Sequence, residues 1–154
     1  MGLTRRVLER VPEAQFAWKP HEKSMTLGRL AEHLAELPMW CRVSILDNGI
    51  DMATPRPEGY VPPATRAAVL QMFDRNLADA RAALNGRTDA ELMGPWKLSH
   101  QGKEIFTMPK AAVLRGFVMN HMIHHRGQMS VYLRLQNVPV PSMYGPSADE
   151  AGFS

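Results

Sequence analysis

The sequence predicts an all-α fold, a four-helix bundle with one long crossover connection, and three observations carry that prediction. Apolar residues recur at spacings of three and four along several segments, the period of one helix face. Those segments are bounded by cap and stop residues, such as Thr26 ahead of one and Asn85-Gly86 behind another. The chain also holds 11 methionines, a residue that favours helix over strand and fills irregular gaps in cores. With 154 residues, 45% of them hydrophobic, the chain fits one domain over 1–154 with a substantial core.

The elements follow in order. Leu3, Val7, Leu8 and Val11 share a face over a short first helix that Pro12 stops. Residues 12–25 read as a loop. Ser24 or Thr26 caps a second helix over 27–46, where Leu27, Leu30, Leu34, Leu37, Cys41 and Ile45 form the stripe. Pro38 removes a hydrogen bond inside that helix and is expected to kink it, and Asn48-Gly49 ends it. Residues 49–63, with four prolines, form the long connection suited to a crossover between helices that are not adjacent antiparallel neighbours. A third helix spans 64–84 on Leu70, Phe73, Leu77, Ala80 and Leu84. A short helical turn starts near Thr88, and Trp96 to Phe106 reads either as an irregular loop or as a weak hairpin around Gly102. The longest helix covers 108–136, with Thr107 as its cap and Pro109 in its first turn. Residues 138–154 read as a proline-rich tail.

Charge and cysteine usage narrow the function classes. The net charge is +3, but basic residues are interleaved with acids, as in Asp74-Arg75, so no nucleic-acid partner is expected. No apolar run reaches bilayer-spanning length, the start lacks the pattern of a secretory leader, and Cys41 is the single cysteine. A cytoplasmic protein with no membrane partner and no internal disulfide is expected. Cys41 continues the apolar stripe and reads as an inert thiol.

The histidines carry the chemical signal. His121 and His125 lie four apart on the last helix and replace apolar residues on its core-facing stripe. Buried imidazoles side by side need partners, which a shared metal ion supplies. His124 turns away from that stripe and is the poorer ligand. On the second helix His33 lies at the edge of the face formed by Leu30, Leu34 and Leu37, placed to add a third ligand across the interior. Spacing alone leaves a metal site and a set of otherwise satisfied core histidines as alternatives. His21 and His100 read as loop residues.

The string Asn120-His121-Met122-Ile123-His124-His125-Arg126-Gly127-Gln128, followed by Tyr132-Leu133-Arg134, closely resembles the last-helix signature of the DinB-like (YfiT-type) metalloenzyme family. Thr26 to Pro38 resembles that family's second-helix motif with its first histidine, and Pro139 to Asp149 resembles its C-terminal segment. The resemblance implies a four-helix bundle holding one divalent metal ion through His33, His121 and His125. It also implies a homodimer and a small-molecule thiol substrate, since some relatives are thiol-dependent transferases or isomerases. The first helix is two or three turns shorter than the family leads one to expect, consistent with a truncated or a naturally short start.

Three imidazoles would leave a coordination position open, the arrangement of catalytic zinc sites, lowering the pKa of a water or holding a thiol as thiolate. Zinc or nickel is expected, with iron or cobalt as alternatives. Glu36, Asn120 and Gln128 are candidates to orient the rings from behind. Arg126 is assigned to a surface or interface ion pair and Gly127 to close helix packing. Trp40 and Tyr144 are candidate pocket walls, though large aromatics are more often core. The functional expectation is therefore a metal-dependent thiol S-transferase or hydrolase. The alternative is a non-catalytic binding or structural module of a stress response, in which the ion only supports the fold.

Overall fold

Residues 1–151 are described by a computed structural model. The chain forms α1 (Gly2–Glu9), a single 3-10 turn (Glu13–Gln15), α2 (Leu27–Leu46), β1 (Gly49–Asp51), α3 (Arg66–Leu84), α4 (Asp89–Leu92), β2 (Pro95–His100), β3 (Lys103–Pro109), α5 (Lys110–Val113), a π-helical segment (Leu114–Asn120) and α6 (His121–Leu135). Thr26 starts α2 by accepting from the Arg29 amide, and the helix then runs unbroken through the buried Pro38. The main core joins Val7, Leu8 and Val11 to the α2 stripe, to Val69 and Phe73 of α3, and to Met122, Met129 and Leu133 of α6.

α2 and α3 pack side by side and run in the same direction. The 13–16 turn touches the start of each, through Phe16 O to Gly28 N (2.9 Å) and Glu13 Oε2 to Arg66 N (2.9 Å). Asn76 Nδ2 donates to Ala35 O at mid-height, 2.9 Å. Joining two parallel neighbours requires the chain to return the length of α2, about 30 Å at 1.5 Å per residue. The long proline-rich connection does this, as expected of a crossover.

The all-α expectation is overturned. β1, β2 and β3 form a three-stranded mixed sheet in that order, β1 parallel to β2 and β2 antiparallel to β3. Of the two alternatives for residues 96–106, the hairpin is the one adopted: Gln101 and Gly102 both take positive φ (53° and 75°), which matches the twist of a two-residue hairpin. Asp51 locks that tip to β1, its carboxylate accepting from the amides of Ala53, Gln101 and Gly102 at 2.7–3.0 Å. Those amide bonds, Gly102 foremost, hold its pKa below the usual carboxylate value. β1 hides in the proline-rich connection. Gly49 belongs to it because a Cβ there would meet Lys97 O at 2.4 Å, so it serves the strand contact more than the helix stop.

Three smaller expectations also change. Thr107 lies in β3 and its hydroxyl bonds Glu104; the helix that follows has Pro109 at its cap position and no side-chain cap bond. Lys110 is buried, and its ammonium donates to Ile45 O (2.7 Å) and Asp47 O (2.8 Å), satisfying carbonyls at the end of α2. The segment after α6 is a strap more than a tail. Glu150 pairs with Arg6 and Arg10, Asp149 pairs with Arg134, and Val140 and Ser142 are buried.

The sheet closes a second, smaller core. Trp96, Leu98 and Val113 are buried there, against Val43 of α2 and Phe106 and Met108 of β3. This layer lies beside the histidines and forms one wall of the space in front of them.

Candidate metal centre

The three predicted histidines meet. One ring nitrogen from each of His33, His121 and His125 lies within 4.8 Å of the others. The ring centroids are 4.5–5.0 Å apart. His33 Nε2 and His121 Nε2 stand 3.2 Å apart. Two nitrogens bound about 2.05 Å from one tetrahedral ion would be separated by about 3.3 Å. The observed gap therefore fits a shared ion.

The proton positions point the same way. His125 Nδ1 donates to Gln128 Oε1 at 2.6 Å, and His121 Nδ1 donates to Phe117 O at 3.3 Å. Both oxygens can only accept, so these rings carry their proton on Nδ1 and turn the Nε2 lone pair inward. His33 Nδ1 faces the Glu36 carboxylate at 3.8 Å, an ion-pair separation longer than a hydrogen bond. The lone pairs of His121 and His125, turned toward the His33 ring and each backed by an oxygen, make a cation-binding pattern. Burial, the larger cause, pushes the His125 pKa down to about 4. Burial and then His33 lower that of His121. Both rings are therefore neutral near pH 7 and could ligate a cation without a proton to displace.

The π-helical segment is what aims His121. Its widened turn brings the Phe117 carbonyl, four residues back, to the ring. No sequence signal identified that carbonyl. Of the three expected orienting residues, Gln128 and Glu36 stand behind rings, whereas Asn120 is exposed and forms no side-chain bond. His124 is exposed and outside the cluster, although its ring lies 4.8 Å from that of His125. His21 and His100 are exposed and outside the cluster.

A charged network that the sequence did not reveal abuts His33. Glu32, only 4% exposed, accepts from Arg56 Nη1 (2.9 Å) and from the Tyr60 hydroxyl (2.6 Å). Arg56 also pairs with Glu36 at 2.8 Å, and Arg29 pairs with both glutamates. Burial works to raise the Glu36 pKa, but His33, Arg29 and Arg56 outweigh it and hold the carboxyl below its usual value. Burial, and then Glu32, push the Tyr60 hydroxyl up to about 12.

Two cavities share the His33 ring, Trp40 and Met52 as walls. One, about 410 Å³, is the polar cleft of Arg29, Glu36, Arg56 and Tyr60. The other, about 170 Å³, runs between α2, the sheet and the π-helical segment, and His121 lines it too. Trp40 is thus a pocket wall, as anticipated. Tyr144 is not: it lines a separate small depression with Met1 and Met119. A wider groove of about 660 Å³ near Arg87 and Lys110 holds none of the histidines. Cys41 is half-buried, and burial raises its thiol pKa, so it is unreactive.

Arg126 and Gly127 depart from expectation. Arg126 is 4% exposed and forms no ion pair among the described residues; it donates to Thr4 Oγ1 at 3.0 Å and to the Tyr144 hydroxyl, tying α1 and the C-terminal strap to α6. Nothing lies within 4 Å of where a Gly127 Cβ would stand, so it serves no packing inside the chain.

Known proteins resemble this chain in sequence and in fold. The uncharacterized protein YrdA of Bacillus subtilis is 26% identical over 149 residues, covering 96% of this chain and 83% of that protein. The crystal structure of the DinB-like protein YjoA from Bacillus subtilis superposes with a TM-score of 0.70 at 19% identity, over 93% of this chain and 90% of that one. A DinB-like protein from Bacillus cereus gives 0.68 at 23% identity, over 93% and 89%. These two structures share the fold. The family profile described as DinB family matches residues 1–152, and on that match across the histidine-bearing helices the chain belongs to the DinB family.

Proposed function

We propose that this protein is a metal-dependent enzyme of the thiol S-transferase or hydrolase type, with His33, His121 and His125 holding one divalent ion. The observation that carries the reading is the convergence of three ring nitrogens within 4.8 Å, beside two cavities that share the His33 ring as a wall. An ion held by three neutral imidazoles would supply Lewis acidity toward a water or thiol. Zinc or nickel suits the donor set, with iron or cobalt as alternatives.

The chain's own residues have definable parts. Gln128, Glu36 and the Phe117 carbonyl fix the rings. The Arg29/Arg56/Glu36 cleft orients a polar, charged reactant, and the 170 Å³ chamber excludes water around an apolar one. Space for reactants on both sides of His33 favours catalysis over a module in which the ion only supports the fold.

The test is elemental analysis of protein expressed without an affinity tag, beside a His33/His121/His125 triple-alanine variant. About one divalent ion per chain, absent from the variant, is expected; equal content in both refutes the site. With an ion bound, His121→Ala should abolish thiol-dependent turnover while the circular dichroism spectrum is retained.

We also infer that a second copy of the chain covers α6. Met119, Ile123, Val131 and Leu135 recur at four-residue steps and are all exposed, with the bare Gly127 in the middle of the row. Such a stripe suits close helix–helix contact.

A further inference from the structure

Two residues that line the chamber beside His33 and His121 carry polar atoms without partners among the described residues. Trp96 Nε1 and Ser44 Oγ are both buried and neither has a hydrogen bond. Each residue is 1% exposed, and both line the same cavity. Buried polar groups are nearly always satisfied, so two orphans on residues that line one space call for an explanation. The indole N–H can only donate, and a serine hydroxyl can donate to the same kind of group. The remaining walls are apolar: Leu98, Val113, Phe117, Met52 and Trp40. The volume, about 170 Å³, slightly exceeds the ~150 Å³ of an engineered cavity that admits benzene.

We propose that this chamber is a binding subsite for a slender apolar group, of benzene or short-alkyl size, carrying a hydrogen-bond acceptor at its inner end that Trp96 and Ser44 recognise. The inference rests on the metal reading above, since the ligand's other end lies at the histidines. A site built to donate to an acceptor discriminates against the isostere that lacks one, because its donors then stay unpaired.

The experiment uses the full chain, zinc-loaded and checked by elemental analysis, with two probes of equal size. Phenylmethanethiol and pyridin-4-ylmethanethiol differ only in a ring C–H replaced by a nitrogen acceptor. Calorimetric titration at about pH 8, where both pyridine and imidazole are neutral, is expected to show both binding, the pyridyl thiol at least about tenfold more tightly. Trp96→Phe should bring that ratio to near one, and Ser44→Ala should reduce it several-fold. Circular dichroism checks each variant; if Trp96→Phe fails to fold, Ser44→Ala decides. Equal affinities in the unmodified protein, or an unchanged ratio in the folded variants, overturn the subsite and leave the metal reading standing, with water then serving both donors. Zinc uptake without binding of either thiol refutes the open position and the subsite with it. Failure to take up zinc refutes the metal reading itself.

Discussion

Replacing Gln128 with leucine should weaken zinc binding by about tenfold. The side chain touches no metal, so the effect must pass through His125. Its Oε1 accepts from His125 Nδ1 at 2.6 Å, which holds the ring in the tautomer that offers Nε2 to the ion. Leucine removes the acceptor and leaves a ring that is 7% exposed with an unpaired N–H. A net neutral hydrogen bond of about 1–1.5 kcal/mol corresponds to a factor near ten in affinity. Outer-partner substitutions at metal sites span about 10- to 100-fold. The low end applies here because Gln128 is exposed and loses rotamer freedom, up to about 2 kcal/mol, to make the bond. The other two rings also keep their own partners. The assay is zinc titration in competition with a chromophoric chelator, with Asn120→Ala as control, since Asn120 is a neighbour in sequence that forms no side-chain bond. A change under twofold in Gln128→Leu, or an equal loss in Asn120→Ala, would refute the reasoning.

Other outcomes follow from the same geometry. His125, with a pKa of about 4, and His121, also lowered, stay neutral in the fold at pH values where the unfolded rings, near 6.5, take up protons. Stability of the metal-free chain is therefore full above about pH 6.5 and falls as pH drops toward 4; urea midpoints compared with the triple-alanine variant should show the steeper fall in the unmodified chain, and parallel curves would count against it. Gly49→Ala drives a Cβ into Lys97 O and should cost about 1–3 kcal/mol in thermal melts, with loss of amide protection at the β1–β2 pairing; an unchanged melt would show that the strands part freely. Ile123→Glu puts a charge in the middle of the exposed α6 stripe and should convert a dimer to a monomer in sedimentation velocity, whereas a parent chain that is already monomeric at about 100 μM removes the proposed interface.

Legibility in the sequence tracked the physical signal each element carries. α2 was readable to its ends because its stripe is long and Thr26 makes its cap bond as its type suggests. The histidine cluster was readable because His121 and His125 interrupt an apolar face, which costs stability unless something pairs them. The sheet was not. β1 has three residues, β3 is an edge strand with largely exposed side chains, and only Trp96 and Leu98 alternate clearly, so the period-two signal never accumulates. Arg126 was misassigned because a guanidinium beside a solvent face ordinarily belongs in water. Its partners, Thr4 and Tyr144, lie 122 and 18 residues away in sequence. The Phe117 carbonyl was invisible for a different reason, since a π turn is a matter of backbone register and has no side-chain marker.

His33 and His121 are separated by 88 positions in the chain, yet their rings touch. During synthesis at the ribosome, the first ligand therefore emerges long before the other two. A nascent chain that ends ahead of residue 121 offers only one of the three clustered imidazoles. An ion that needs all three rings could be held only after α6 has cleared the exit tunnel and docked against α2.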